Sequence, residues 1–121
     1  MNNEIHKLSA LELSSIFKSK DISPLQVTKL ILERIKSSQK TLNSFCFFNE
    51  GDVIKQAEES EKRWSDNNPK SLIDGVPVSI KDLIHVKGWP TLQGSKSVDI
   101  NQKWDIDAPS VKNLKNAGAV I

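Results

Sequence analysis

Apolar residues first recur at helical spacing. Leu11, Leu13, Ile16 and Phe17 line one face of a predicted helix over residues 9–20. Ser9 caps it and Glu12, three positions on, completes a capping box, while Leu8 and Leu13 can staple across the cap. A second helix opens the same way at Ser23-Pro24-Leu25-Gln26, because proline suits the first helical turn. Val27, Leu30, Ile31 and Ile35 carry it to about Ser38. Two antiparallel helices joined by a tight turn are therefore expected. The period then drops to two in the phenylalanine run around Phe45 and Phe47, which predicts a strand over residues 44–48. Val53, Ile54, Ala57, Glu61 and Trp64 restore the helical period over residues 52–64.

Ser65-Asp66-Asn67-Asn68-Pro69 reads as a turn-rich linker. It divides a helical arm, residues 1–68, from the start of a sheet-based core, residues 69–121. In the second part Val76, Val78 and Ile80 alternate with Pro77 and Ser79, the period of a strand, and Gly75 marks the turn before it. That strand delivers Lys81 and Asp82 at its carboxyl end, where open α/β sheets hold their ligands. By spacing alone a surface lysine at a strand terminus is the favoured reading. Residues 83–86 read as a further short extended piece. Asp107 reads as a helix cap with Pro109 in the first turn, Val111 and Leu114 inward and Gly118 as terminator. Ala119-Val120-Ile121 then opens another strand, and strand–helix–strand order argues for an α/β core. A buried strand that stops as it begins predicts that the chain is the N-terminal piece of a longer protein.

The motifs from Asp74 onward are ordered as in a known family. Gly75-Val76-Pro77-Val78-Ser79-Ile80-Lys81-Asp82 is followed by Lys87-Gly88-Trp89-Pro90-Thr91 and Gly94-Ser95. Asp107-Ala108-Pro109-Ser110-Val111 and Leu114-Lys115-Asn116-Ala117-Gly118-Ala119 come next. This series resembles the start of the amidase signature domain, and residues 8–48 look like that family's N-terminal helices. The resemblance implies the N-terminal portion of the amidase signature fold: an α/β protein with a helical arm followed by the first strands and helix of a mixed sheet core. It also implies that Lys81 is the base of a Ser–cis-Ser–Lys triad whose two serines lie in later segments.

A lysine that acts as a base must be neutral, yet a free lysine titrates near ~10.4. Burial disfavours the ammonium and lowers that value by as much as ~3–5 pH units. Val78, Ile80, Leu83 and Ile84 are expected to supply such surroundings. In the family's chemistry the neutral lysine draws a proton, through the bridging serine, from a serine that attacks the amide carbonyl. Asp82 reads as structural, because neighbours along a strand face opposite ways and its carboxylate can bond backbone N–H groups of a turn, with a catalytic role as the second reading and a Lys81–Asp82 salt bridge as the structural alternative for Lys81. His85 and Ser79 lie near Lys81 without a motif role. Cys46 reads as a small buried apolar residue, Trp89 as a packing or mouth residue, and Lys112 and Lys115 as a solvated helix face.

Composition narrows the classes. With 17 basic and 15 acidic residues the formal charge is +2, and scattered lysines argue against a nucleic-acid surface. Cys46 is the single cysteine, so neither an internal disulfide nor a cysteine-based metal cluster is available. The two histidines, His6 and His85, show no metal spacing, and no metal or organic cofactor is expected. The N-terminus lacks a signal-peptide pattern and no apolar run approaches a membrane span, so a cytoplasmic enzyme is the default. Gly75 to Lys81 is not a phosphate loop, since Ile80 and Asp82 stand where glycine and Ser/Thr are needed.

The leading expectation is an amidohydrolase acting on a small-molecule amide. A related reading is the A subunit of a Glu-tRNA(Gln)/Asp-tRNA(Asn) amidotransferase, which releases ammonia from glutamine. That subunit tends to carry asparagine where Leu83 stands, which favours a free-standing amidase. A non-catalytic binding or assembly module is the reading from another class. The helical arm is also a candidate surface for homo-oligomer formation.

Overall fold

The computed structural model describes residues 2–121. A 3-10 helix over Asn2–Lys7 leads into α1 (Ala10–Ser19), α2 (Pro24–Leu42) and α3 (Glu50–Ser65), and α4 (Pro109–Asn116) follows after a long irregular stretch. Both capping boxes are formed. The Glu12 N–H donates to Ser9 Oγ at 3.3 Å while the Ser9 N–H donates to Glu12 Oε2 at 2.7 Å. Gln26 and Ser23 repeat the exchange at 3.2 and 2.8 Å, with Pro24 in the first turn of α2. α2 runs past the expected end at Ser38 to Leu42, and Asn43 terminates it in the left-handed region at φ 48°. α3 starts earlier than expected because the Asn49 side chain caps it, accepting from the Asp52 N–H at 3.2 Å.

The helix pairing departs from expectation. The principal partner of α2 is α3 rather than α1. Short α1 instead sends Leu13 and Phe17 into a cluster with Ile5, Val27, Trp64 and Val76. Phe17 and Trp64 meet there with ring centroids 6.0 Å apart. The predicted strand over residues 44–48 is absent. Both backbone groups of Phe45 are taken by the Gln39 side-chain amide, at 2.5 and 3.2 Å, so no ladder forms. The phenylalanines act as separate plugs, Phe45 against Phe48 and Phe47 against Trp89.

Residues 75–78 and 118–120 run side by side in parallel. Gly75 N–H donates to the Gly118 carbonyl at 2.9 Å, Val120 N–H to Val76 at 3.0 Å and Val78 N–H to Val120 at 2.8 Å. Val120 thus bonds the residues on either side of Pro77, whose nitrogen has no proton to give. The expected strand to Lys81 is shorter than its alternation suggests, and among the described residues sheet structure is confined to this pairing and an isolated bridge between Val86 and Trp89. Residues 83–86 are likewise not a strand: Leu83 and Ile84 both donate to the Lys81 carbonyl, at 2.7 and 3.0 Å, and close a turn. α4 crosses over between the two parallel segments and buries Val111 against Val86, Ala119 and Ile121. On the far side of residue 121, the Gln56 side chain of α3 bonds both backbone groups of Ile121, at 2.9 and 3.3 Å.

Asp107 does not cap α4. Its carboxylate instead accepts from the Lys87 N–H at 2.7 Å and from Lys115 Nζ at 2.8 and 3.0 Å, leaving Ala108 at the cap without a side-chain bond. Lys115 is accordingly half-buried in an ion pair and not on a solvated face. Burial opposes the Asp107 charge, but the Lys115 ammonium and the Lys87 N–H outweigh it and hold the carboxyl below its usual range.

Arm and sheet join at Asp74, which is fully buried. Arg63 of α3 clamps it with Nε and one terminal nitrogen, each at 2.7 Å, and Ser60 Oγ and the Lys70 N–H donate at the same distance. Two glycines make room for this node. A Cβ at Gly118, whose φ is +90°, would lie 2.6 Å from the Asp74 carboxylate, and one at Gly75 would lie 2.5 Å from Ser60 Oγ. Gly118→Ala is therefore expected to cost about 1–3 kcal/mol, through backbone strain and displacement of Asp74, read as a lowered urea midpoint. An unchanged midpoint would show that the node yields.

Candidate functional site

Lys81 stands just past the parallel pairing, at the carboxyl end of the 75–78 segment, where the sequence places it. Its carbonyl is fixed by the turn formed with Leu83 and Ile84. Its side chain lines a cavity of about 340 Å³. The cavity opens between α2, the phenylalanine segment and residues 78–82; Ile31, Ile35, Phe47, Ile80 and Trp89 give it an apolar wall. Among the described residues Lys81 has no carboxylate within ion-pairing distance.

The expected burial of Lys81 is not met by these residues. Lys81 is exposed and Leu83 is 53% exposed, because the turn after Lys81 swings Leu83 outward instead of continuing the strand. Val78, Ile80 and Ile84 do face the apolar cluster around Val111.

Asp82 behaves as a structural anchor, and over a longer reach than a following turn. Its Oδ1 accepts from the Leu92 N–H at 2.9 Å and its Oδ2 from the Gly94 N–H at 3.2 Å. The intervening Gln93 and Gly94 adopt left-handed φ values of 54° and 65°, which turn those N–H groups toward one point. Sequence reading located the Gly94-Ser95 step without assigning it this partner.

Cys46 is exposed rather than buried. It lies against Asp82, and partial burial followed by that carboxylate's charge pushes its thiol up. His85 is exposed and tilted against Trp104, with centroids 6.1 Å apart. Trp89 is half-buried, packs on Phe47 at 5.5 Å and donates to Asp52 at 3.3 Å. Ser79 is exposed just beyond the parallel pairing. No group of three or more His, Cys, Asp or Glu side chains among the described residues is placed to hold a metal ion. Likewise, no helix among them is long and apolar enough to cross a membrane.

A helical arm is thus clamped to a parallel pairing, with Lys81 just beyond it and the neighbouring Asp82 tied to a glycine turn. The family model described as Amidase matches residues 26–121, and the chain belongs to that family. The A subunit of the glutamyl-tRNA(Gln) amidotransferase from Leptospira interrogans is 34% identical over 119 residues, covering 98% of this chain and 24% of that protein. Its mitochondrial counterpart in Anopheles gambiae is 37% identical over 114 residues, covering 94% and 23%. Among solved structures, a crystal structure of an amidase superposes with TM-score 0.83 at 27% identity, over 94% of this chain and 26% of that one. The native peptide amidase from Stenotrophomonas maltophilia shares the fold with TM-score 0.88 at 24% identity, over 99% and 24%. The chain spans about a quarter of the length of the curated relatives it matches.

Proposed function

We propose that this chain belongs to an enzyme that hydrolyses a carboxylic amide C–N bond, with Lys81 as its catalytic base. The observation that carries this reading is the position of Lys81 just past the parallel pairing, beside a cavity and free of a carboxylate partner among the described residues, within a chain of the amidase family. A base needs that freedom, since an ion pair would hold the ammonium protonated. In this reading Lys81 takes a proton relayed by a bridging serine from the nucleophilic serine. The nucleophile's attack on the amide carbonyl expels the amine and leaves an acyl-enzyme, which water hydrolyses. Both serines would come from segments outside these residues, where a glycine- and serine-rich stretch is expected.

A second reading is favoured by the two relatives named as A subunits of an amidotransferase, at 34% and 37% identity. There the same cleavage would release ammonia from glutamine. Leu83, at the position where that subunit tends to carry asparagine, supports the free-standing amidase. Full-length protein assayed with simple aryl and alkyl amides, and separately with glutamine, distinguishes the two readings. Amine release from the simple amides is the expected result, and ammonia release restricted to glutamine would favour the amidotransferase reading. Turnover of neither would overturn the proposal. The 121 residues by themselves are expected to give no turnover, because a lysine base alone has no nucleophile to deprotonate.

A further inference from the structure

We infer that Asp82 is the positioning residue for Lys81, holding it in place by gripping the turn at residues 92–94; this rests on the reading of Lys81 as the base. Two demands meet at the Lys81-Asp82 step. Lys81 must keep one location relative to its reaction partners, yet a carboxylate bonded to its amine would favour the charged form. The structure meets both by committing each oxygen of Asp82 elsewhere. Oδ1 is occupied by Leu92 N–H at 2.9 Å and Oδ2 by Gly94 N–H at 3.2 Å. The left-handed pair Gln93 and Gly94 supplies the concave donor arrangement that suits an anion.

Asp82 and Lys81 are joined by one peptide, so their Cα atoms are ~3.8 Å apart. Fixing the Asp82 side chain on one turn, while Leu83 and Ile84 hold the Lys81 carbonyl, restrains the lysine backbone from two directions. The gripped turn begins beside Thr91, which is buried and lines the same cavity as Lys81. Losing the grip would loosen the cavity wall and the lysine together. Small misplacements of a reacting group lower turnover steeply while leaving substrate affinity less affected.

The test uses full-length protein and amide hydrolysis. Asp82→Asn keeps the shape and one acceptor but points an NH₂ at the second backbone donor. It is expected to lower kcat by about 10–100-fold with KM within about twofold, on protein whose melting temperature is nearly unchanged. Asp82→Glu, which retains both acceptor oxygens on a longer arm, is expected to recover part of kcat. In a Lys81→Ala background the Asp82→Asn change should add no further loss, because both act through one group. Wild-type kcat in Asp82→Asn, or equal additional losses with and without Lys81, would overturn the inference. Should Asp82→Asn fail to fold, the Asp82→Glu comparison and its coupling to Lys81→Ala decide the same question. If Lys81→Ala itself keeps near-wild-type kcat, the base assignment fails first, and that outcome is distinguishable from failure at Asp82 alone.

Discussion

Full-length protein carrying Lys81→Ala is expected to retain its fold and lose about 10²–10⁴-fold in kcat. The fold should survive because Lys81 makes no ion pair among the described residues and its backbone carbonyl, which alanine keeps, is what closes the following turn. Turnover should fall because no other group here can replace it. Asp82 has both oxygens engaged, and His85 turns to Trp104. Lys81→Arg should recover little, since a guanidinium stays protonated at any pH the enzyme meets. Circular dichroism and steady-state kinetics on the same preparations check both halves. A Lys81→Ala enzyme with near-wild-type kcat would remove Lys81 from the mechanism.

Asp74→Ala should be the most destabilising single change in the chain, by about 3–5 kcal/mol in urea unfolding. It leaves the partly buried Arg63 guanidinium without its counter-charge, and the Ser60 hydroxyl and Lys70 N–H without an acceptor. Burial pushes the Asp74 carboxyl up, but the Arg63 fork first, then the Lys70 N–H and Ser60, pull it further down, and the net shift is downward. Arg63 is correspondingly raised by its bonds to Asp74. A folded-state value below the unfolded one means that this stability is present at neutral pH. It drains away as pH falls below the ordinary aspartate range, near ~3.9, toward the lower folded value. Wild-type stability should therefore drop in that acid window, and the Asp74→Asn variant should show a flatter profile there. Parallel profiles for the two proteins would dissociate Asp74 from acid unfolding.

The helix starts were legible because a capping box is written within four residues, and Ser9-Glu12 and Ser23-Gln26 need nothing distant to form. The place of Lys81 in the chain, just past the Gly75–Val78 segment, was legible for a different reason: the order of short motifs after it locates it without any knowledge of packing. Residues 44–48 misled because alternation looks the same whether a strand pairs or each phenylalanine fills a different gap. Only the approach of Gln39 and Trp89 decides that. The Asp74 node was invisible for the same cause, since Arg63 and Ser60 become its partners only when α3 docks. The clue available was an aspartate placed directly before a buried Gly-Val-Pro run. Within the described residues Lys81 is exposed, since the turn at residues 81–84 swings Leu83 outward, which counting apolar neighbours along the chain does not reveal.

The contact between Gln56 and Ile121 has a bearing on how the sheet can grow. An unpaired strand edge invites any extended peptide to add to it, which is a common start of misassembly. Here a helix-borne carboxamide imitates the peptide group of a neighbouring strand and occupies both outward backbone groups of Ile121. At that residue the outward edge is occupied by a side chain that cannot itself be extended. Replacing Gln56 with leucine would keep the helix and reopen that edge.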